Sequence, residues 1–293
     1  MELALSHWQN RRKPRRGHWR HPGFLRQIGP AFPVLFFLFV VLVVPLSTLL
    51  LRSVTDPAPG LGNYARLLAD ATYGRVLLNT FTVAGVVTLV TLCLGYPVAW
   101  LMVLLPSRLS RWVFAIVLLS MWTNLLARTY GWMVLLQRTG FVNRTLMDLG
   151  LIDAPLPLMN NLVGVTIGMT HIMLPFIILP IHSTLSSIDP AVMQAASIVG
   201  ARPSQVFCRV LLPLSLPGIA AAGMMVFVMA LGYYITPALL GGTANMMLAE
   251  LIAQLVQSLL DWGLGSAAAF LLLLVTLVLY ALYVRAIGLG TQR

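Results

Sequence analysis

Charged residues are scarce in this sequence. Asp, Glu, Lys and Arg make up 9% of the 293 residues, whereas a soluble domain carries about 25%. Hydrophobic residues make up 59%, and the mean hydropathy is +0.88. This deficit of charge excludes an ordinary water-soluble domain and indicates that most of the chain has a lipid bilayer as its solvent.

Lysine is nearly absent, and the common catalytic motifs are missing. Lys13 is the one lysine, and Pro14 follows it. A P-loop needs Gly-Lys-Ser/Thr, because the lysine reaches the phosphates and the hydroxyl binds Mg²⁺. We therefore expect no cofactor in this chain, and any ATP and Mg²⁺ to bind elsewhere. No H-E-x-x-H or G-x-S-x-G occurs, so an intramembrane serine hydrolase built on Ser266 stays only as a distant alternative.

Cysteine and histidine are too few and too scattered for a metal site. Cys93 falls in a predicted span and Cys208 in a predicted loop, so we expect no disulfide. His171 and His182 are eleven residues apart on one predicted helix, which separates them by about 16 Å. They cannot share one metal ion.

Six long apolar runs are the main feature that the sequence does contain. A helix needs about 20 apolar residues to cross a bilayer, and no two-residue alternation typical of a barrel occurs. We predict an all-α, six-span transmembrane helical bundle over residues 31–287, after a basic arm (1–30) and before a short tail (288–293). The predicted spans are 31–51, 77–105, 112–136, 162–183, 217–239 and 265–287.

The net charge of +11 is concentrated on one side of these spans. With the N-terminus inside, thirteen basic and two acidic residues fall on the inner side, and six of each fall on the outer side. Excess Lys and Arg mark cytoplasmic loops. We therefore predict cytoplasmic termini in a multi-pass bacterial inner-membrane protein. The arm 1–30 is interpreted as a topology determinant rather than a nucleic-acid-binding segment, and we expect the first run to remain as a span.

The longest inner loop, residues 184–216, has strong helix-boundary signals. Asp189-Pro190 predicts a helix start and Gly200 its end. Pro203-Ser204 predicts a second short helix, and Pro213 and Pro217 predict breaks before the fifth span. Two functions fit such a bent pair of helices: a connector lying on the bilayer, or a docking element for a cytoplasmic protein.

The docking interpretation is favoured by a resemblance. Gln194-Ala195-Ala196, three residues, Gly200, nine residues and Val210-Leu211-Leu212-Pro213 resemble the EAA loop of ABC-importer permeases, with Gln194 in place of the acid and Val210 in place of Ile. In that family the loop forms a coupling helix that sits in a groove of the ATPase. The resemblance implies that ATPase coupling rests on Asp189, Gln194, Ala195, Ala196, Gly200, Ala201, Arg202, Phe207, Leu212 and Pro213.

The resemblance to this family also implies a set of partners. We expect two ATPase subunits that bind ATP and Mg²⁺, a second homologous permease, a periplasmic solute-binding protein and the bilayer, and no nucleic acid. The fold implied is that of a type I ABC importer permease. The chain is then a transport subunit and not an enzyme, and it moves solute by alternating access.

Several outer segments resemble the B-type permeases of spermidine/putrescine importers. These are Arg128 to Met133 with Gly140 and Asn143, then Asn63-Tyr64, Tyr73 and Asn79-Thr80, and finally Leu240-Gly241-Gly242. Carboxylates and aromatic faces attract a polyamine's ammonium groups. The candidate substrate-pathway residues are Arg128, Tyr130, Trp132, Tyr233, Tyr234, Glu250 and Asp261.

The residues leave other cargoes and roles open. The stretch 235–239 lacks the acid that polyamine permeases can carry, so a zwitterion or a small organic anion with Arg128 as its counter-ion is an alternative. Arg128 would lie near the outer boundary of a continuous third span, where it fits an aromatic belt equally well. Glu250 and Asp261 equally fit a solvated loop.

Overall fold

The computed structural model describes residues 32–290, with side chains described for 32–285. The basic arm 1–30 and residues 291–293 of the tail lie outside the described part, and so do the interpretations that rest on them. Along the described chain, one compact unit ends at Thr48 and a second begins at Leu49.

Within the described part, the regular elements are helices, which confirms the all-α prediction. They are α1 (Phe32–Thr55), α2 (Gly62–Ala69), α3 (Ala71–Leu104), α4 (Ser107–Trp122), α5 (Leu125–Leu136), α6 (Phe141–Asp148), α7 (Leu162–Ser187), α8 (Pro190–Ile198), α9 (Pro203–Val206), α10 (Leu212–Leu231), α11 (Ile235–Leu240), α12 (Leu248–Gln257) and α13 (Trp262–Gly290). A π-helical turn, Phe207–Leu211, joins α9 to α10, and a 3₁₀ turn, Thr243–Asn245, precedes α12.

Five continuous helices in this part are long and apolar enough to cross a membrane, and a sixth span is broken. The prediction of a continuous third span over 112–136 is wrong, because α4 and the following segment Leu125–Asp148 meet at 97°. Asn124 explains the break. Its side chain accepts hydrogen bonds from the backbone N–H groups of Leu126 (2.8 Å) and Ala127 (3.3 Å), and so begins a new helix.

The fifth span is longer on the loop side than predicted. Pro213 and Pro217 do not break the chain: one 29-residue helical segment runs from Pro203 to Leu231. A proline ring clashes with the carbonyl four residues earlier, and the π turn widens the helix directly before Pro213. The span ends at Leu231 rather than 239, and Gly232 lies in the break before α11.

The main core forms where α3, α7 and α10 pack together. Val87, Met169 and Val226 are fully buried there. Glycines allow the close approach: a Cβ on Gly95 would lie 2.6 Å from Ile177, and one on Gly218 would lie 2.2 Å from Thr184. Small residues at helix crossings are typical of membrane bundles, since association there depends on close packing.

A second core joins α2, the start of α3, α12 and α13 around Leu67, Leu251 and Leu264. Polar side chains hold this layer together. Asn63 donates to the carbonyls of Ser53 (2.9 Å) and Asp56 (2.7 Å). Other bonds of this kind join Asn79 to the carbonyl of Ala244 (3.0 Å), and the backbone N–H of Leu248 to the Thr80 hydroxyl (2.8 Å). These polar residues of the first outer loop therefore have structural partners.

Candidate functional site

Helix α8 is capped at both ends. The Asp189 carboxylate accepts a hydrogen bond from the backbone N–H of Ala191 (2.9 Å), and Pro190 occupies the first turn. At the other end Gly200 has φ of 86°. Its N–H reaches the carbonyl of Ser197 (3.0 Å), and the N–H of Ala201 reaches that of Ala196 (3.2 Å). This pair of bonds is a Schellman motif, which fixes where the helix ends.

The end of α8 carries an apolar tip that the sequence interpretation did not single out. Ile198 and Val199 are 85% and 88% exposed. Gln194 and Ala195 are exposed on the same short helix, and Ala196 is half-buried. Adjacent apolar residues directly before the helix-ending glycine were the available sequence signal. Exposed apolar side chains at a capped helix end suit insertion into a groove of another protein.

The second half of the loop is continuous with a membrane span. The backbone N–H of Arg202 donates to the Gln205 side chain (2.9 Å), which begins α9. Phe207 lies in the π turn and packs on α3, while Leu212 is half-buried and Pro213 is exposed at the start of α10. The predicted coupling residues thus lie in the capped helix α8, in the turn that follows it (199–202) and in the first part of the helical segment Pro203–Leu231.

A separate cavity of about 150 Å³ lies beside Arg128. Its wall consists of Met121, Leu125, Arg128, Ile172, Met173, Phe176, Met229 and Tyr233. The expectation that Arg128 lies near the outer boundary was based on a continuous third span, and the break at Asn124 removes that basis. Arg128 shares the cavity wall with Ile172, Met173 and Phe176 from the middle of α7. Its Nε and Nη1 atoms are buried and have no hydrogen-bond partner among the described residues.

The other aromatic candidates do not all share this cavity. Tyr233 lines it, whereas Tyr130 and Tyr234 are exposed. The Trp132 indole N–H donates to Nδ1 of His171 (3.1 Å), so these two side chains are each other's partners. Among the described candidates, Arg128 and Tyr233 share the wall of this cavity, and Trp132 lies one turn after Arg128 on α5.

The two acidic candidates lie away from Arg128, outside the spans. Glu250 is 9% exposed on α12, so the interpretation of it as a solvated loop residue is wrong. Burial raises the pKa of Glu250, against a backbone hydrogen bond from Met247. Asp261 accepts from the N–H of Leu264 (3.0 Å) at the start of α13 and lies 3.5 Å from Arg66. Asp261 thus has structural partners, whereas Oε2 of Glu250 is buried and has no hydrogen-bond partner among the described residues.

Ser266 is buried, and its hydroxyl has no partner in the described part of the chain. The two histidines of that part are engaged elsewhere, His171 with Trp132 and His182 with Ser186. Between residues 32 and 285 no group of three metal-ligating side chains is present. Neither histidine of the described part is hydrogen-bonded to Ser266.

Comparison with known proteins agrees with this arrangement. A family model described as "Binding-protein-dependent transport system inner membrane component" matches residues 30–286. The spermidine/putrescine transport system permease protein PotB of Salmonella typhimurium strain LT2 is 36% identical over 226 residues, 77% of this chain and 78% of that protein. The inner membrane ABC transporter permease protein YdcU of Escherichia coli strain K12 is 33% identical over 299 residues, 92% of each.

Solved structures show the same fold. The crystal structure of a bacterial alginate ABC transporter in complex with an alginate-bound periplasmic protein matches with a TM-score of 0.73 at 19% identity, covering 88% of this chain and 94% of that one. The relatives are transport subunits, which removes the serine-hydrolase alternative. The chain therefore belongs to the family of binding-protein-dependent transport system inner membrane components, as a multi-pass permease subunit of an ABC importer.

Proposed function

We propose that this permease serves a polyamine importer for spermidine or putrescine. It works with two ATPase subunits that bind ATP and Mg²⁺, a second homologous permease and a periplasmic solute-binding protein. The cargo proposal is supported by the similarity to PotB over 77% of this chain. The partners follow from the family and from the capped, exposed tip of α8.

One observation carries the transport mechanism. The segment Pro203–Leu231 is helical throughout, which at 1.5 Å per residue spans about 43 Å. It begins directly after the coupling helix, and near its far end Met229 forms part of the Arg128 cavity. When the ATPase pair closes and displaces α8, the helical segment Pro203–Leu231 transmits this displacement to the cavity wall. Alternating access follows if this wall opens to one side at a time.

Arg128 limits what the cavity itself holds. The guanidinium of the half-buried Arg128, whose Nε and Nη1 atoms have no hydrogen-bond partner among the described residues, repels a polyamine, and an isolated charge within a membrane bundle is costly. Among the described residues the one ion pair joins Arg66 to Asp261, so an anion that pairs with Arg128 would come from outside this part of the chain. For a polyamine cargo, we place that anion on the second permease.

A second cargo is favoured by the same residue. If the transported solute itself carries a carboxylate or a phosphonate, Arg128 is its counter-ion, and the cargo is a zwitterion or a small organic anion. Arginine suits this role because its planar fork matches two oxygens. The unpaired Arg128 supports this candidate, whereas the similarity to PotB supports the polyamine.

Uptake by the complete importer distinguishes the polyamine cargo from the zwitterion or organic-anion cargo. The tagged chain is purified with its partners, reconstituted into vesicles with the binding protein, and tested for ATP-dependent uptake of spermidine, putrescine and amino-acid-like zwitterions. Spermidine or putrescine uptake that zwitterions do not compete supports the polyamine proposal. Uptake of zwitterions alone overturns it in favour of the second cargo. A chain that purifies without an ATPase contradicts the proposed partnership.

A further inference from the structure

Three aromatic side chains meet where the coupling loop joins the membrane bundle. Phe207 of the π turn lies 5.0 Å from Trp100 and 6.0 Å from Tyr96, measured between ring centroids. Both partners belong to α3. The Tyr96 hydroxyl also lies 3.1 Å from the Ser215 hydroxyl on α10. We call Tyr96, Trp100 and Phe207 the aromatic junction.

The π turn is what allows Phe207 and Ser215 to face Tyr96 together. In a regular α-helix of about 100° per residue, two positions eight residues apart differ by about 80° around the axis. The backbone N–H of Leu212 instead bonds to the carbonyl of Phe207, five residues back, so the turn absorbs one extra residue. The remaining offset is then about 20°. The irregular turn thus aims Phe207 at α3.

The coupling helix has no equally firm contact with α3. A cavity of about 240 Å³ lies between them, with Trp100, Leu104, Met193, Ser197, Ala201, Pro203, Val206, Phe207 and Leu211 in its wall. Helix α8 packs on α9 and on the π turn. A displacement of α8 therefore reaches α9 and Phe207 first, and the aromatic rings of Phe207, Tyr96 and Trp100 connect this turn to α3.

We infer that the aromatic junction relays the movement of the coupling helix to α3, the second span, so that α3 and α10 move together during transport. Helix α3 packs extensively on α7, and α7 supplies Ile172, Met173 and Phe176 to the Arg128 cavity. Movement of the coupling helix thereby reaches the cavity lining by two routes, one through α10 and one through α3 and α7. Trp100 acts as a positioning residue in this relay. The inference rests on the proposed coupling to an ATPase but not on the identity of the cargo.

Trp100→Ala tests the relay in the complete reconstituted importer. Solute uptake and ATP hydrolysis are measured in the same vesicles, with whichever solute stimulates the wild-type complex. We expect hydrolysis to stay within about twofold of wild type and the solute moved per ATP to fall at least about fivefold, the lower end of usual coupling between sites. Trp100→Phe keeps an aromatic ring and should retain the wild-type ratio.

Phe81→Ala is the matched control. Phe81 also projects from α3 toward α10, where it lies 6.3 Å from Phe227, but it is about 28 Å along the helix from Trp100. Its loss should leave the transport ratio unchanged. Phe207→Ala should reproduce the Trp100→Ala ratio, and the double variant should be no worse than either single one, because both remove one contact.

Three results would overturn the relay: an unchanged ratio in Trp100→Ala, an equal loss in Phe81→Ala, or additive losses in the double variant. If Trp100→Ala fails to assemble, Trp100→Leu gives the same comparison with less lost volume. Failure of the proposed function looks different. In that case the wild-type chain shows no associated ATPase and no stimulated hydrolysis. If only the relay fails, the wild-type complex and the variants all move the same amount of solute per ATP.

Discussion

Gly200 ends the coupling helix in a left-handed conformation, with φ of 86°. A Cβ added there would meet nothing within 4 Å. A substitution at this position therefore acts through backbone conformation alone, which costs an ordinary L-residue about 1–2 kcal/mol.

We expect Gly200→Val to lower transport strongly while the protein still inserts in the membrane. A β-branched residue resists the left-handed conformation more than others, so the Schellman end of α8 shifts and Ile198 and Val199 leave their positions. Gly200→Asn is the control, because asparagine tolerates this conformation. ATP-dependent uptake, with membrane content measured by immunoblot, checks both. Equal uptake in Gly200→Val and wild type would mean that the fixed end of α8 plays no part in coupling.

Glu250 gives a prediction about pH. Burial raises its pKa in the folded protein above the ordinary value of 4.5, so the folded state binds more protons than the unfolded state. Stability therefore falls as the pH rises from about 4.5 through the folded pKa, and it levels off above. Glu250→Gln should remove this fall and unfold at a higher temperature than wild type at neutral pH. Thermal unfolding of both proteins in detergent between pH 4 and 8 measures this difference in melting temperature.

Asp70 supplies the opposite case. The backbone N–H of Thr72 lowers the pKa of Asp70 below its ordinary value of 3.8. Its stabilising contribution is present above pH 3.8 and is lost as the pH falls through the lowered pKa. Asp70→Asn still caps α3, and it should leave unchanged the fall in stability with rising pH that is caused by Glu250. A neutral-pH melting temperature that Glu250→Gln lowers would contradict the burial argument.

At the scale of elements, Pro213 accounts for the π turn. In an α-helix the proline ring would meet the carbonyl of Arg209, and the wider turn avoids this clash. Pro217 lies in α10 without such a turn. Pro217 therefore serves as a control for substitutions of Pro213 in the same helix.

Pro213→Ala should let the turn revert to α-helix, because alanine restores the missing donor. The reversion rotates Phe207 by about 100° away from α3 and should lower the solute moved per ATP as Trp100→Ala does. Cross-linking of Trp100→Cys with Phe207→Cys, in a chain with Cys93 and Cys208 replaced by serine, should fall in parallel. Pro217→Ala should change neither. Efficient cross-linking in Pro213→Ala would show that another feature holds the turn.

At the scale of the whole molecule, the environment of Arg128 is built by several helices. The cavity beside it draws on four helices, α4, α5, α7 and α10. Helices α7 and α10 are distant in sequence from α4 and α5, and the meeting point of the four depends on the break at Asn124. The charge left unpaired at that point is a property of the assembled bundle.

Arg128→Gln identifies the source of the missing anion. If the cargo supplies it, the apparent KM for uptake should rise about tenfold or more, since a charged hydrogen bond is worth about 1.5–3 kcal/mol, and Arg128→Lys should recover part of the loss. If the second permease supplies it, the complex should assemble less well at an unchanged KM. Arg66→Gln is the control, because its surface pair with Asp261 contributes about 0–1 kcal/mol. Full assembly at an unchanged KM would remove Arg128 from both roles.

The sequence by itself determined the solvent, the helix content, the number of spans and the limits of the coupling helix. These properties depend on local composition and on caps such as Asp189 and Gly200, which act within a few residues. The tertiary structure alone decided the burial of Glu250 and the meeting of Arg128 with α7 and α10 at one cavity. Both depend on residues that are far apart in sequence, because whether a charge meets solvent is settled by what packs against it.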